Sequence, residues 1–152
     1  MASRRYSRGC REGEALRAVG IVGYKNSGKT TLARALVQEL ARRGHRVAAV
    51  KHSSEGMDFP RKDTAKLGEF ADQVGFVSPQ ESGIFLKGER SLEEILSHLR
   101  ADFVIIEGFK KERTFPKIVC LSGKPEDEEL FDGLAICAVG PVPQGRELDV
   151  PL

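Results

Sequence analysis

Cysteine is scarce in this chain: three residues, Cys10, Cys120 and Cys137, an odd number with no CxxC pair among them. That argues against both a disulfide framework and a zinc site. Cys120 and Cys137 each lie in an apolar run, where a free thiol behaves as a small hydrophobe. This usage fits a reducing, cytoplasmic compartment. Long hydrophobic runs are also missing. None approaches the ~18–20 residues needed to span a bilayer, so no membrane association is expected. Arg4-Arg5 has no apolar stretch of signal-peptide length behind it before Ala18. Nor is there a large charge of one sign. Residues 1–17 hold five arginines against Glu12 and Glu14, a surplus of +3, so the rest carries −1 of the chain's formal +2. A nearly neutral body offers no electrostatic case for nucleic acid as a partner. Internal repeats and low-complexity tracts are absent as well.

What is present suits an ordinary soluble globule: 152 residues, 40% hydrophobic and 30% charged. A chain of this length buries about 68–70% of its unfolded surface and needs no metal or disulfide to hold it. We expect a flexible basic tail over residues 1–17 and one nucleotide-binding domain over 18–152.

Ala18–Val22 is a short apolar run ending at glycine and reads as a buried strand. Leu32, Ala33, Leu36, Val37 and Leu40 recur at helical spacing, and Gly44 after Arg42-Arg43 stops the helix. Val47–Val50 is a second strand. Residues 51–62 are polar and form a long loop, and residues 63–71 suit a short helix. Residues 73–77 and 83–86 read as an antiparallel pair. Ser91-x-x-Glu94 is a capping box that opens a helix. Residues 103–106 form a strongly apolar strand ending at Glu107-Gly108. A strand over 117–121, an acidic helical turn begun by Pro125, and a last strand over 134–139 complete the pattern. Alternating strands and helices predict a three-layer α/β fold with a mostly parallel central sheet. In such sheets ligands bind at the carboxyl ends of the strands. Lys29, Lys51-His52 and Glu107-Gly108 all follow strands at that edge.

Gly23-Tyr24-Lys25-Asn26-Ser27-Gly28-Lys29-Thr30 matches G-x-x-x-x-G-K-[ST], the Walker A pattern, between a predicted strand and a predicted helix. Glycines let the backbone curl so that successive N–H groups cradle phosphate oxygens. The helix start adds unpaired N–H groups and a positive dipole end. The P-loop reading therefore assigns Gly23, Lys25, Asn26, Ser27, Gly28, Lys29, Thr30 and Thr31 to nucleotide phosphates. Lys29 neutralises the β- and γ-phosphates, and the Thr30 hydroxyl joins the Mg²⁺ shell. The bland alternative is a glycine-rich β–α turn.

Such a site needs an acid on a neighbouring strand. Glu107 ends the most hydrophobic strand and fits as a metal or water-binding group; otherwise it is a solvated strand-end charge. Gly108 beside it joins the nucleotide set. Asp63, with Lys62 and Thr64 beside it, suits a Mg²⁺ or water contact, or equally a turn and helix cap. Asp58 lies in the same loop. His52 is a lone histidine, more often structural than functional.

Taken together, the loop at 23–31, Lys51-His52, Pro60-Arg61-Lys62-Asp63-Thr64 and Glu107-Gly108-Phe109-Lys110 resemble the molybdopterin-guanine dinucleotide biosynthesis protein B (MobB) family, in the same order from about Ala18 to Val139. The resemblance implies a P-loop GTPase-like fold, GTP and Mg²⁺ binding, at most weak hydrolysis, and a homodimer. It also implies a guanylyltransferase partner that attaches GMP to molybdopterin, and molybdopterin itself as a possible ligand; the family's further C-terminal helix would be expected where the sequence stops at Leu152. Asp63 and Glu107 would be its acidic Mg²⁺ or water-binding positions. Glu55 stands where the family often has a second histidine, and Arg61 where it has glycine. GTP comes from the resemblance alone, because no Asn-Lys-x-Asp run is present. Ser122–Asp127 lies in a loop but matches that pattern poorly.

Two other readings stay open. One is a small-molecule kinase using ATP, although no arginine-rich lid stands out between the second strand and Glu107. The other is a nucleotide-dependent regulatory adaptor. With no arginine finger evident in cis, hydrolysis is expected to be slow, with Lys29, Glu107 and Asp63 as its catalytic groups.

Overall fold

The computed structural model describes residues 16–55, 66–67, 69–143, 145, 147–148 and 150–151. Asp58, Asp63 and all of the basic tail but its last two residues lie outside them. In chain order the elements are β1 (Arg17–Gly23), α1 (Lys29–Arg42), β2 (Val47–Lys51), β3 (Gln73–Val77), β4 (Ser82–Leu86) and α2 (Leu92–Ser97). Then come β5 (Phe103–Glu107), β6 (Lys117–Cys120), a 3₁₀ turn (Pro125–Leu130) and β7 (Ala135–Val139). Two compact units result: Met1–Ser53 with Leu96–Leu152, and Ser54–Ile95.

The larger unit is built on a five-stranded sheet of order β2-β5-β1-β6-β7, with every pairing parallel. Alternation along the strands sends side chains to two cores. Ile21, Ile105 and Cys120 face α1 and meet Leu32, Leu36, Val37 and Leu40. Val22, Val119, Leu121 and Ala138 face the other way, against Leu130 and Phe131. α1 has no fully buried residue, so its amphipathic stripe rests on the sheet by half-buried contacts.

The smaller unit contains the β3–β4 hairpin, antiparallel as expected, with Val77 opposite Ser82. Ser91 Oγ accepts the Glu94 N–H at 3.1 Å, the cap that the Ser-x-x-Glu spacing predicts. Of the short helix expected over 63–71, residues 66 and 67 are helical.

Carboxylates tie the sheet ends together. Asp102 accepts the Arg46 backbone N–H at 2.8 Å and its guanidinium at 2.6 Å, which joins the entries of β2 and β5. Those bonds hold its carboxyl down to about 2. At β6, Lys117 is fully buried, an unusual place for a lysine. Its ammonium donates to the Lys110 carbonyl at 2.8 Å and to Asp132. Burial alone pushes the Asp132 carboxyl up, but the hydrogen bonds from Lys117 and the Leu134 N–H, with the Lys117 charge, hold it below its ordinary value.

Two outcomes follow. Asp132→Ala strands a buried ammonium and should cost about 3 kcal/mol in denaturant unfolding. Asp102 has a depressed folded pKa, so its stabilising share is present above its unfolded value of about 3.9 and fades as pH falls through the folded one. Asp102→Asn should therefore flatten thermal stability between about pH 4 and pH 2 relative to the wild type. Parallel curves for the two proteins would contradict the assignment.

Candidate functional site

β1 is the central strand, flanked by β5 and β6, both reached by later crossovers. Its carboxyl end is thus a topological switch point, where open α/β sheets bind ligands. Gly23 ends β1, and residues 24–28 curl into α1. Asn26 takes φ 64° and Gly28 φ 86°, so the loop turns through left-handed backbone twice. Gly28 caps α1 without any side-chain hydrogen bond. The first-turn N–H groups of α1 therefore remain for an anion.

Lys29 Nζ donates to the Tyr24 carbonyl across the loop at 2.6 Å. Burial lowers its pKa; Glu107 opposes this, and Lys110 and Lys51 add to it. The Thr30 hydroxyl reaches both oxygens of Glu107, at 2.9 and 3.0 Å. Ser27 Oγ is buried with no hydrogen-bond partner among the described residues. Thr31 faces a groove of about 1050 Å³ that runs from the loop past Ser122 and Lys124 to Gly140 and Pro141.

Glu107 ends β5, where the register places it beside Ile21 of β1 and Lys51 of β2. Gly108 follows at φ 98°, with the His52 Cβ 3.1 Å from where a side chain would start. Its N–H donates to the Ile21 carbonyl at 3.0 Å. That bond seats Glu107 against the phosphate loop but commits the Gly108 donor to the sheet. His52 lies against Phe109, ring centroids 4.6 Å apart.

Among the described residues no group of three or more His, Cys, Asp or Glu side chains is placed to hold a metal. A metal here would rest on the Thr30 hydroxyl and Glu107 with nucleotide oxygens. That hard, incomplete oxygen set suits Mg²⁺, which is bound through one or two carboxylates plus phosphates. Asp63, the other expected acidic position, lies outside the described residues.

Sequence reasoning missed three contributors. The Lys110 ammonium sits 4.0 Å from the centre of the Tyr24 ring, and the Tyr24 hydroxyl donates to Glu129 at 3.1 Å. The phosphate loop is thereby pinned from two sides. Asp127 is 1% exposed. It accepts the N–H groups of Ser122, Gly123 and Lys124 at 2.8, 3.0 and 3.3 Å and the Ser122 hydroxyl at 2.9 Å. The carboxylate weighed above as a poor guanine reader is instead the internal anchor of the loop that walls the groove. Its place in an acidic stretch carries no periodic signal of burial.

A parallel sheet with a glycine loop, lysine and threonine at the central strand's end, and an acid on the next strand, defines a P-loop nucleotide-binding protein. Comparison with known proteins narrows this further. The profile of the MobB family, molybdopterin guanine dinucleotide synthesis protein B, matches residues 18–139, and the chain belongs to that family. A Methanocaldococcus jannaschii protein assigned as a candidate molybdopterin-guanine dinucleotide biosynthesis adapter is 35% identical over 130 residues, covering 80% of this chain and 54% of its own. A Haemophilus influenzae adapter protein of the same biosynthesis is 34% identical over 109 residues, covering 66% of this chain and 61% of its own. The chain thus spans little more than half the length of these two relatives. A crystal structure of a MobB homolog from Bacillus stearothermophilus superposes with TM-score 0.65 at 30% identity, over 88% of this chain and 84% of that one.

Asp127→Ala removes the buried acceptor shared by three backbone N–H groups and the Ser122 hydroxyl and should cost about 2 kcal/mol of stability. Proteolysis within 122–126 should accelerate in parallel. Wild-type unfolding in the variant would show that the loop holds without its anchor.

Proposed function

We propose that this protein is a GTP-binding adapter of molybdopterin-guanine dinucleotide biosynthesis, serving the guanylyltransferase that joins GMP to molybdopterin. Family membership supports the pathway, since the relatives named above are described as adapters of that biosynthesis. The observation that carries nucleotide binding is the Thr30–Glu107 hydroxyl–carboxylate contact beside Lys29, with a groove of about 1050 Å³ along Lys25, Ser27, Gly28 and Thr31 of the same loop and helix start. The free thiols Cys120 and Cys137 fit a cytoplasmic setting. No helix among the described residues is long and apolar enough to cross a membrane.

In this reading the loop N–H groups and Lys29 bind the phosphates. Thr30 and Glu107 would hold Mg²⁺, which supplies charge neutralisation at the β- and γ-oxygens. Glu107 or Asp63 would orient the attacking water, and turnover is slow because the sequence offers no arginine finger in cis. A homodimer is part of the proposal. The outward apolar residues Phe70, Val77 and Ile84 of the smaller unit, 92%, 84% and 74% exposed, are suited to such a contact.

Calorimetric titration with non-hydrolysable GTP and ATP analogues, with and without Mg²⁺, tests the reading. The expected outcome is Mg²⁺-dependent preference for the GTP analogue, with affinity lost by at least about a hundredfold in Lys29→Ala, as removal of a half-buried phosphate cation implies. Preference for the ATP analogue would replace the adapter by a kinase and call for an acceptor screen.

A further inference from the structure

A second, smaller cleft lies on the other flank of the phosphate loop. It has a volume of about 530 Å³ and is lined by Thr30 and Arg34 of α1, Lys51 of β2 and Glu107 of β5. Lys51 is the cation that the sheet contributes to this cleft. It is the last residue of β2, and the β2–β5 register runs unbroken from Val47 opposite Phe103 to Lys51 opposite Glu107. The His52 N–H then bonds the Glu107 carbonyl at 2.9 Å, which locks the backbone on its far side. The Lys51 ammonium lies 3.6 Å from Glu107 Oε1, the same oxygen that accepts the Thr30 hydroxyl at 2.9 Å.

We propose that Lys51 is a second phosphate-binding cation, directed at the terminal phosphate. In the nucleotide-free protein it pairs with Glu107. When a Mg²⁺-bound triphosphate enters, Glu107 and Thr30 turn to the metal and the Lys51 ammonium passes to a γ-oxygen. The inference rests on the phosphate-site reading given above and extends it to how the protein tells triphosphate from diphosphate.

Three arguments carry it. The first is reach. Lysine is a point charge on a flexible four-carbon stem, and the Lys51 side chain is 61% exposed while Glu107 beside it is 12% exposed. The ammonium can leave its partner without dragging the strand along. The second is charge. Lys29 feels both Lys51 and Lys110 as well as Glu107, and Arg34 lines the same cleft as Lys51, so among the described residues there cations outnumber carboxylates. That surplus opposes the net negative charge a triphosphate keeps after its metal binds, and a loop needing only to hold two phosphates would not require it. The third is direction. Lys110 approaches from the Tyr24 side of the loop, above the groove that suits the nucleoside. Lys51 approaches from the metal side, where the chain of phosphates must end.

The test titrates a non-hydrolysable GTP analogue and GDP, each with and without Mg²⁺, into the wild type, Lys51→Met, Lys51→Arg and Lys29→Ala. Lys51→Met should lose about tenfold in affinity for the triphosphate, one charge-assisted contact, and no more than about twofold for the diphosphate. Lys51→Arg should keep the wild-type preference. The loss in Lys51→Met should be larger without Mg²⁺, when no other cation serves the terminal phosphate. An unchanged triphosphate-to-diphosphate ratio in Lys51→Met, or equal weakening toward both, overturns the inference while sensitivity to Lys29→Ala leaves the phosphate site standing. A wild type that binds neither nucleotide, or a Lys29→Ala protein that binds like the wild type, removes the phosphate site and this inference with it.

Discussion

The pairing of β1 with β5 is the constraint on which the site depends. Ile21 stands opposite Glu107, and the Gly108 N–H closes the ladder on the Ile21 carbonyl. Two residues beyond Ile21 the chain leaves the sheet as the phosphate loop, and α1 returns with Thr30 in its first turn. A one-residue slip between these strands would turn Glu107 to the opposite face, away from Thr30. The slip is prevented by apolar burial, since Ile21, Val22, Val104, Ile105 and Ile106 are all within 2% of full burial. At about 25 cal/mol per Å² of apolar surface, such a run makes any other register far more costly than the loss of one polar contact. The hydrophobic core thus determines where the hydroxyl and the carboxylate meet.

Around that core, charge fixes the loops. Asp102 ties β2 to β5, Asp127 gathers the N–H groups of residues 122–124, and Asp132 with Lys117 holds the carbonyl of Lys110. Each carboxylate serves several donors, which is how a buried or half-buried charge becomes tolerable. The last of these has a bearing on the site. By fixing the backbone at Lys110, the buried Lys117–Asp132 pair fixes the stem from which the Lys110 ammonium reaches the Tyr24 ring. A structural ion pair at one edge of β6 is linked in this way to the phosphate loop at the end of β1.

Much of this was legible in the sequence. The strands announced themselves as short apolar runs bounded by glycine, proline or charge, and the observed bounds differ from those read by a residue or so: Leu121 leaves β6, and Leu134 precedes β7. The phosphate loop was legible because its chemistry requires glycines, lysine and threonine at set intervals, between a strand and a helix. Glu107 was legible as an acid ending the most apolar run. What pattern cannot carry is non-local pairing. That β5 inserts between β1 and β2 follows from no local signal, and with it goes the meeting of Lys51 with Glu107, residues 56 positions apart that share one register pair. Asp127 was hidden for a related reason: its burial arises from a loop folding back on its own N–H groups, within a run of Glu, Asp and Glu that reads as solvated.

The geometry of Glu107 bears on what kind of P-loop protein this is. The Thr30 hydroxyl is shared between both carboxylate oxygens, and Lys51 approaches one of them. A carboxylate engaged by a cation and a hydroxyl is arranged to organise charge. Lys29 is likewise held at the loop by the Tyr24 carbonyl. Preorganisation of this sort lowers the cost of binding a charged ligand. It does not by itself favour the transition state over the ground state, which is what rapid hydrolysis would require. The proposed adapter role is served by the first property and has no need of the second.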